Sequence, residues 1–188
     1  MESHGSRELG ALPFGIRDID ERLPGGGLPL GHLHEVSEGG PASEYAGLAT
    51  LLAGGILARI SGPVLWRLRG RDLFAPALAR IGLHPDRVIY CETWKDSDVL
   101  PAMEEGLRCK GLAGVVGEVS RLSLKASRRL QLCAGERGVT ALAIRRWRHA
   151  GEKQVCRRAE RRRDTLALFA PSLARYRVRG DATAMVEG

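Results

Sequence analysis

Residues 23–46, LPGGGLPLGHLHEVSEGGPASEYA, have the layout of a phosphate-binding loop. His32 to Ser37 alternates apolar and polar residues as a strand does. Gly39, Gly40 and Pro41 make a turn, and a long apolar helix is expected from 42 to 59. Strand, glycine turn and helix form the context in which backbone N–H groups cradle phosphates. The residues that would do the chemistry are absent. With the pattern G-x-x-x-x-G-K-[ST] started at Gly40, the second glycine, the lysine and the hydroxyl fall on Tyr45, Ala46 and Gly47. A working loop needs the lysine charge on the β- and γ-phosphates and the hydroxyl on magnesium. The expectation is a degenerate phosphate loop, with the architecture kept, no catalysis and no cofactor.

Other residues able to do chemistry carry weaker signals. Glu118 closes a small-residue apolar run, GVVGEVS, and is a candidate remnant of a Walker B carboxylate, with the register ambiguous by one residue. His32 and His34 stand two apart on a strand and share a face, but no cysteine or carboxylate completes a metal-ligand pattern, so no metal is expected. Ser43, Ser120 and Ser123 lack a G-x-S-x-G elbow and read as helix caps or turns. Cys91, Cys109, Cys133 and Cys156 form no C-x-x-C pair, and they read as reduced, buried small hydrophobes.

Charge is the remaining signal. The chain carries a net +7, yet residues 1–143 hold 17 basic and 17 acidic side chains, whereas residues 144–188 hold 12 and 5. Arg145, Arg146, Trp147 and Arg148, then Arg157, Arg158, Arg161, Arg162 and Arg163, could touch nucleic acid, bind an acidic protein, or form a solvated face. Arg121, Lys125, Arg128 and Arg129 lie in or beside a helix, with Lys125 and Arg129 four apart on one face. These two groups are expected to form one electropositive surface.

The elements that must position these residues alternate. The 188 residues, 44% apolar, suit one domain with a tail. Val64–Trp66, Val88–Cys91, Leu112–Val119 and Val139–Ile144 read as strands. Between them, helices are expected after Asp72 (with Leu73, Phe74, Leu78 and Ile81), after Asp96 or Ser97 (with Val99, Leu100, Met103 and Leu107) and after Ser123 (with Leu124, Leu130 and Cys133), the last stopping at Gly138. Strands separated by helices imply crossovers and a mostly parallel β-sheet flanked by helices, an α/β fold. The expected organisation is a flexible 1–11, a domain over 12–149, and a basic tail over 150–188 with one edge strand near 174–179. There is no signal peptide and no run of about 18 apolar residues for a membrane span, which points to the cytoplasm.

LPFGIRDIDERLPGGGLPLGHLHEV (12–36) resembles the start of a RecA-type core, in which a short helix and a GGLPxG turn lead into the strand before the phosphate loop. Together with GLHPDRVIY (82–90), GLAGVVGEVSRLS (111–123) and ASRRLQLCAGERGVTALAIRRWR (126–148), it resembles the ImuA family of the SulA/RecA-like group, found in bacterial damage-inducible mutagenesis operons. The resemblance places Arg69 where an active ATPase has the glutamate that orients water, and a guanidinium cannot take that proton. It implies a RecA-like, P-loop-type core serving as a non-catalytic accessory of SOS-induced translesion DNA synthesis. The implied partners are an ImuB-like Y-family polymerase homologue and an error-prone replicative-type polymerase, with RecA and DNA as further candidates. The alternatives are a SulA-like cell division inhibitor and a weak ATPase of the recombinase-paralogue type.

Overall fold

The three glycines at 25–27 make the tight turn that leads into the first short strand pair. Gly25 and Gly26 both take φ 73, which side chains other than glycine rarely adopt. Gly27 is extended but backs onto another strand: a Cβ there would stand 2.5 Å from the Leu12 carbonyl carbon. The turn thereby brings β2 (Leu28–Pro29) antiparallel to β1 (Ala11–Leu12). Between them α1 (Arg17–Asp20) is fixed by the Asp20 carboxylate, which accepts the N–H groups of Phe14 at 2.7 Å and Gly15 at 2.9 Å.

The computed structural model describes residues 9–38, 42–68, 73–93 and 95–146, and the backbone of strands at 175–178 and 184–187. The core elements in order are β3 (Leu33–Glu38), α2 (Ala42–Ala58), β4 (Val64–Leu68), α3 (Ala75–Arg80), β5 (Val88–Glu92), α4 (Val99–Arg108), β6 (Gly114–Val119), α5 (Leu124–Arg137), β7 (Thr140–Arg145), β8 (Arg175–Val178) and β9 (Ala184–Glu187). The sheet runs β5-β4-β6-β7-β3-β8-β9. All neighbours are parallel except β8 and β9. This is the expected α/β fold, with helices on both faces.

Two apolar clusters fill the two sides of the sheet. On one side, Val36, Trp66, Val116, Leu142 and Ile144 meet Ala49, Ala53, Ile56 and Leu57 of α2. On the other, Leu33, Val115, Ala141 and Ala143 meet Val99, Met103 and Leu107 of α4 and Leu130 and Ala134 of α5. Strands covered on both faces lose their alternation. That is why β3, expected to alternate, is buried at all six positions. Its carboxylates are inside the fold rather than at its surface.

Several expectations need correction. β4 continues through Arg67 and Leu68, both buried, instead of ending at Trp66. α3 starts only at Ala75, because Pro76 fits the first turn; Leu73 and Phe74 precede it, and Asp72 lies outside the described residues. The Asp96–Asp98 segment is a 3-10 turn, and α4 begins with no side-chain cap. Ser123 does cap α5, accepting the Ala126 N–H at 3.2 Å, and Gly138 ends it at φ 73, but Leu124 faces outward. Cys109 is exposed and Cys91 and Cys133 are half-buried, so none of these is the buried hydrophobe expected. The strand at 175–178 is flanked by β3 and β9 and is not an edge; β9 was not foreseen. Gly39, Gly40 and Pro41 lie outside the described residues, as do Arg69, Trp147, Arg148 and the arginines from 157 to 163.

Candidate functional site

Ligands of open parallel sheets bind at the carboxyl ends of the strands. At that edge β3 ends in Glu38, β6 carries Glu118 as its last residue but one, and Arg146 follows β7, which lies between them. Strand alternation sends all three side chains toward α2. Arg146 Nη1 donates to Glu38 Oε1 at 2.8 Å and to the Ala46 carbonyl at 3.1 Å. Its Nη2 donates to Glu118 Oε1 at 2.5 Å and to Thr50 Oγ1 at 3.2 Å. One guanidinium therefore ties two strands to the first turns of α2.

The cluster is dry. The side chains of Glu38, Glu118 and Arg146 are 0%, 3% and 14% exposed. Burial opposes the charge on Arg146, but the hydrogen bonds and charges of Glu118 and Glu38 outweigh it and hold the guanidinium above its ordinary pKa. The two carboxylates and the guanidinium satisfy one another close to α2. Glu118, the candidate Walker B carboxylate, is thus a hydrogen-bond partner of Arg146. Tyr45 and Ala46 are half-buried and Gly47 is exposed on α2.

Arg145 goes to the opposite face of the sheet. Its Nε is 2.8 Å from Glu35 Oε1 and its Nη2 donates to Ser37 Oγ at 3.1 Å, while Ser37 Oγ donates to Glu35 at 3.1 Å. The expectation that Arg145 and Arg146 form one exposed basic surface with the helix 124–137 is thus corrected. Both are consumed by internal carboxylates, on different faces. Arg121, Lys125 and Arg128 remain exposed; Arg129 is exposed but held by Glu104 at 2.5 Å.

The histidines do not meet as ligands. His32 Nδ1 bonds the Leu30 carbonyl at 2.8 Å, and buried His34 donates Nε2–H to the Pro29 carbonyl at 2.8 Å. Burial pulls the His34 pKa down to about 4, so the ring is neutral. Among the described residues no group of three metal-ligating side chains gathers. Among the described residues no helix is long and apolar enough to cross a membrane.

Two arginines carry roles that sequence reading missed. Arg87 forks across the end of α2, donating to the carbonyls of Leu57, Ala58, Ile60 and Gly62. α2 has no basic residue in its last turn, so this cap comes from the next crossover. The only sequence signal was its place in the HPDR motif. Arg67 is fully buried within β4; its Nη1 donates to the Leu68 carbonyl at 3.3 Å, and its Nε and Nη2 have no partner among the described residues. Burial lowers its pKa from the ordinary value.

No protein-family model matches the chain. Protein ImuA, from two strains of Caulobacter vibrioides, is 36% identical over 155 residues. The alignment takes in 80% of this chain and 64% of each relative. The chain is a homologue of ImuA. The chain spans less than two-thirds of the length of the ImuA proteins it matches. The crystal structure of SulA from Pseudomonas aeruginosa superposes with a TM-score of 0.53 at 21% identity, covering 61% of this chain and 98% of that one. At that identity the likeness to SulA is one of fold. The ImuA homology, in contrast, extends to sequence over most of the chain.

Proposed function

We propose that the chain is a non-catalytic, RecA-like accessory protein of SOS-induced translesion DNA synthesis, working in the cytoplasm. Its role is to hold an ImuB-like polymerase homologue and an error-prone replicative-type polymerase together at stalled forks. The observation that carries this reading is the buried Glu38–Arg146–Glu118 cluster in a chain homologous to ImuA. An internal ion network at the carboxyl ends of the strands, together with Ala46 and Gly47 in place of the lysine and hydroxyl, supports reading the fold as a scaffold for surfaces instead of a machine for hydrolysis.

The experiment is capture by the tagged full-length chain from cells treated with a DNA-damaging agent, read by mass spectrometry. Recovery of the two polymerase-like proteins supports the role. A second reading is a cell division inhibitor, since SulA shares the fold and the fold alone does not separate the two. Recovery of the bacterial division tubulin without a polymerase would establish that reading and remove the first.

A further inference from the structure

The outward face of α5 is not the polar surface that a helix packed on a sheet ordinarily presents. Ser127, Leu130 and Ala134 turn inward and are buried. On the opposite side Leu124, Arg128 and Leu132 follow one another at four-residue spacing, and the two leucines are 55% and 66% exposed. Lys125 flanks this stripe and Arg121 stands just before the helix, both exposed. Glu136 continues the stripe at its far end. Among the described residues no carboxylate forms an ion pair with Arg121, Lys125 or Arg128, although neighbouring Arg129 is neutralised by Glu104. The face thus combines two exposed leucines with three cations left uncompensated.

We propose that this face docks an acidic, amphipathic helix of a protein partner. The partner's apolar side chains would cover Leu124 and Leu132, and its carboxylates would meet Arg121, Lys125 and Arg128. Charge selects this occupant. Residues 147–174 of the chain itself carry seven basic and three acidic side chains, a poor charge match for a basic face. A second copy packed about a two-fold axis would set the same cations against themselves. Nucleic acid would place phosphates over two leucines and find, among the described residues of this face, no aromatic side chain to stack on. The docking helix belongs to the polymerase assembly of the preceding section, and the inference rests on that reading.

The test uses the full-length chain with purified ImuB-like protein and, separately, purified error-prone polymerase. Leu132→Asp and Arg128→Glu alter exposed side chains, so their thermal unfolding should match the parent chain. Ile16→Asp, at an exposed apolar position on another part of the surface, is the control. The expected result is a loss of affinity of about tenfold or more for one protein with both α5 variants and none with the control. Retained affinity in both variants overturns the surface and leaves the accessory role standing. Failure of the parent chain to bind either protein overturns both. Weakened binding of a single-stranded oligonucleotide with polymerase binding intact, or a dimer that Leu132→Asp dissolves, would reassign the face and overturn the proposal.

Discussion

Arg146 and Glu118 form an ion pair that links the end of β7 to the end of β6, with Glu38 of β3 on the other arm of the same guanidinium. Removing one member of such a buried set leaves charge without compensation, and that cost exceeds the net worth of the intact set. Arg146→Ala should therefore destabilise the chain by about 3–5 kcal/mol in urea titration. The triple variant Arg146→Met, Glu38→Gln, Glu118→Gln should lose less than the single one. A single variant as stable as the parent would show that the cluster does not hold the sheet to α2.

His34 makes stability depend on pH. Its pKa is near 6.5 in the unfolded chain and about 4 in the fold. The unfolded state therefore binds the proton first, and stability falls as pH drops from about 6.5 toward 4. The full loss is about 3 kcal/mol. His34→Gln removes this component, so the difference in unfolding free energy between parent and variant should change across that window and stay constant above pH 7. A constant difference at all pH values would contradict the buried neutral ring.

Arg87 closes the end of α2 by donating to four carbonyls. Arg87→Lys keeps the charge but not the planar fork. It should cost about 1–3 kcal/mol, because carbonyls are left without donors. Hydrogen exchange should localise the loss to the last turn of α2; protection unchanged there would show the cap to be dispensable.

Nucleotide should leave the chain unaffected. With Ala46 and Gly47 in place of the lysine and the hydroxyl, no shift in unfolding temperature is expected with millimolar magnesium-ATP, and no hydrolysis above background. Magnesium-dependent hydrolysis abolished by Glu118→Gln would reverse this and favour a weak ATPase.

Much of this fold was legible because its strands and helices differ in period and its helices carry punctuation. Ser123 and Gly138 bounded α5, and the GGLPxG segment marked a turn on the way into β3. The site was legible only in part. Absence of the lysine and hydroxyl could be read from Ala46 and Gly47, but what fills the place could not. Glu38, Glu118 and Arg146 are separated by 80 and 28 residues and meet only through the strand order β6-β7-β3. Arg145 and Arg146 looked like the start of a basic tail because composition cannot show that consecutive residues on a strand leave by opposite faces. Arg67 carried no warning, since a charged residue in a strand ordinarily marks its end or its solvent side.

The most direct test of the central claim is the damage-induced mutation frequency in a strain lacking this gene, with the parent chain or Leu132→Asp supplied in trans. The account predicts that the frequency falls on deletion, is restored by the parent chain and stays low with the variant, while cell length is unchanged on overexpression. Unaltered mutation frequency together with filamentous cells on overexpression would contradict it.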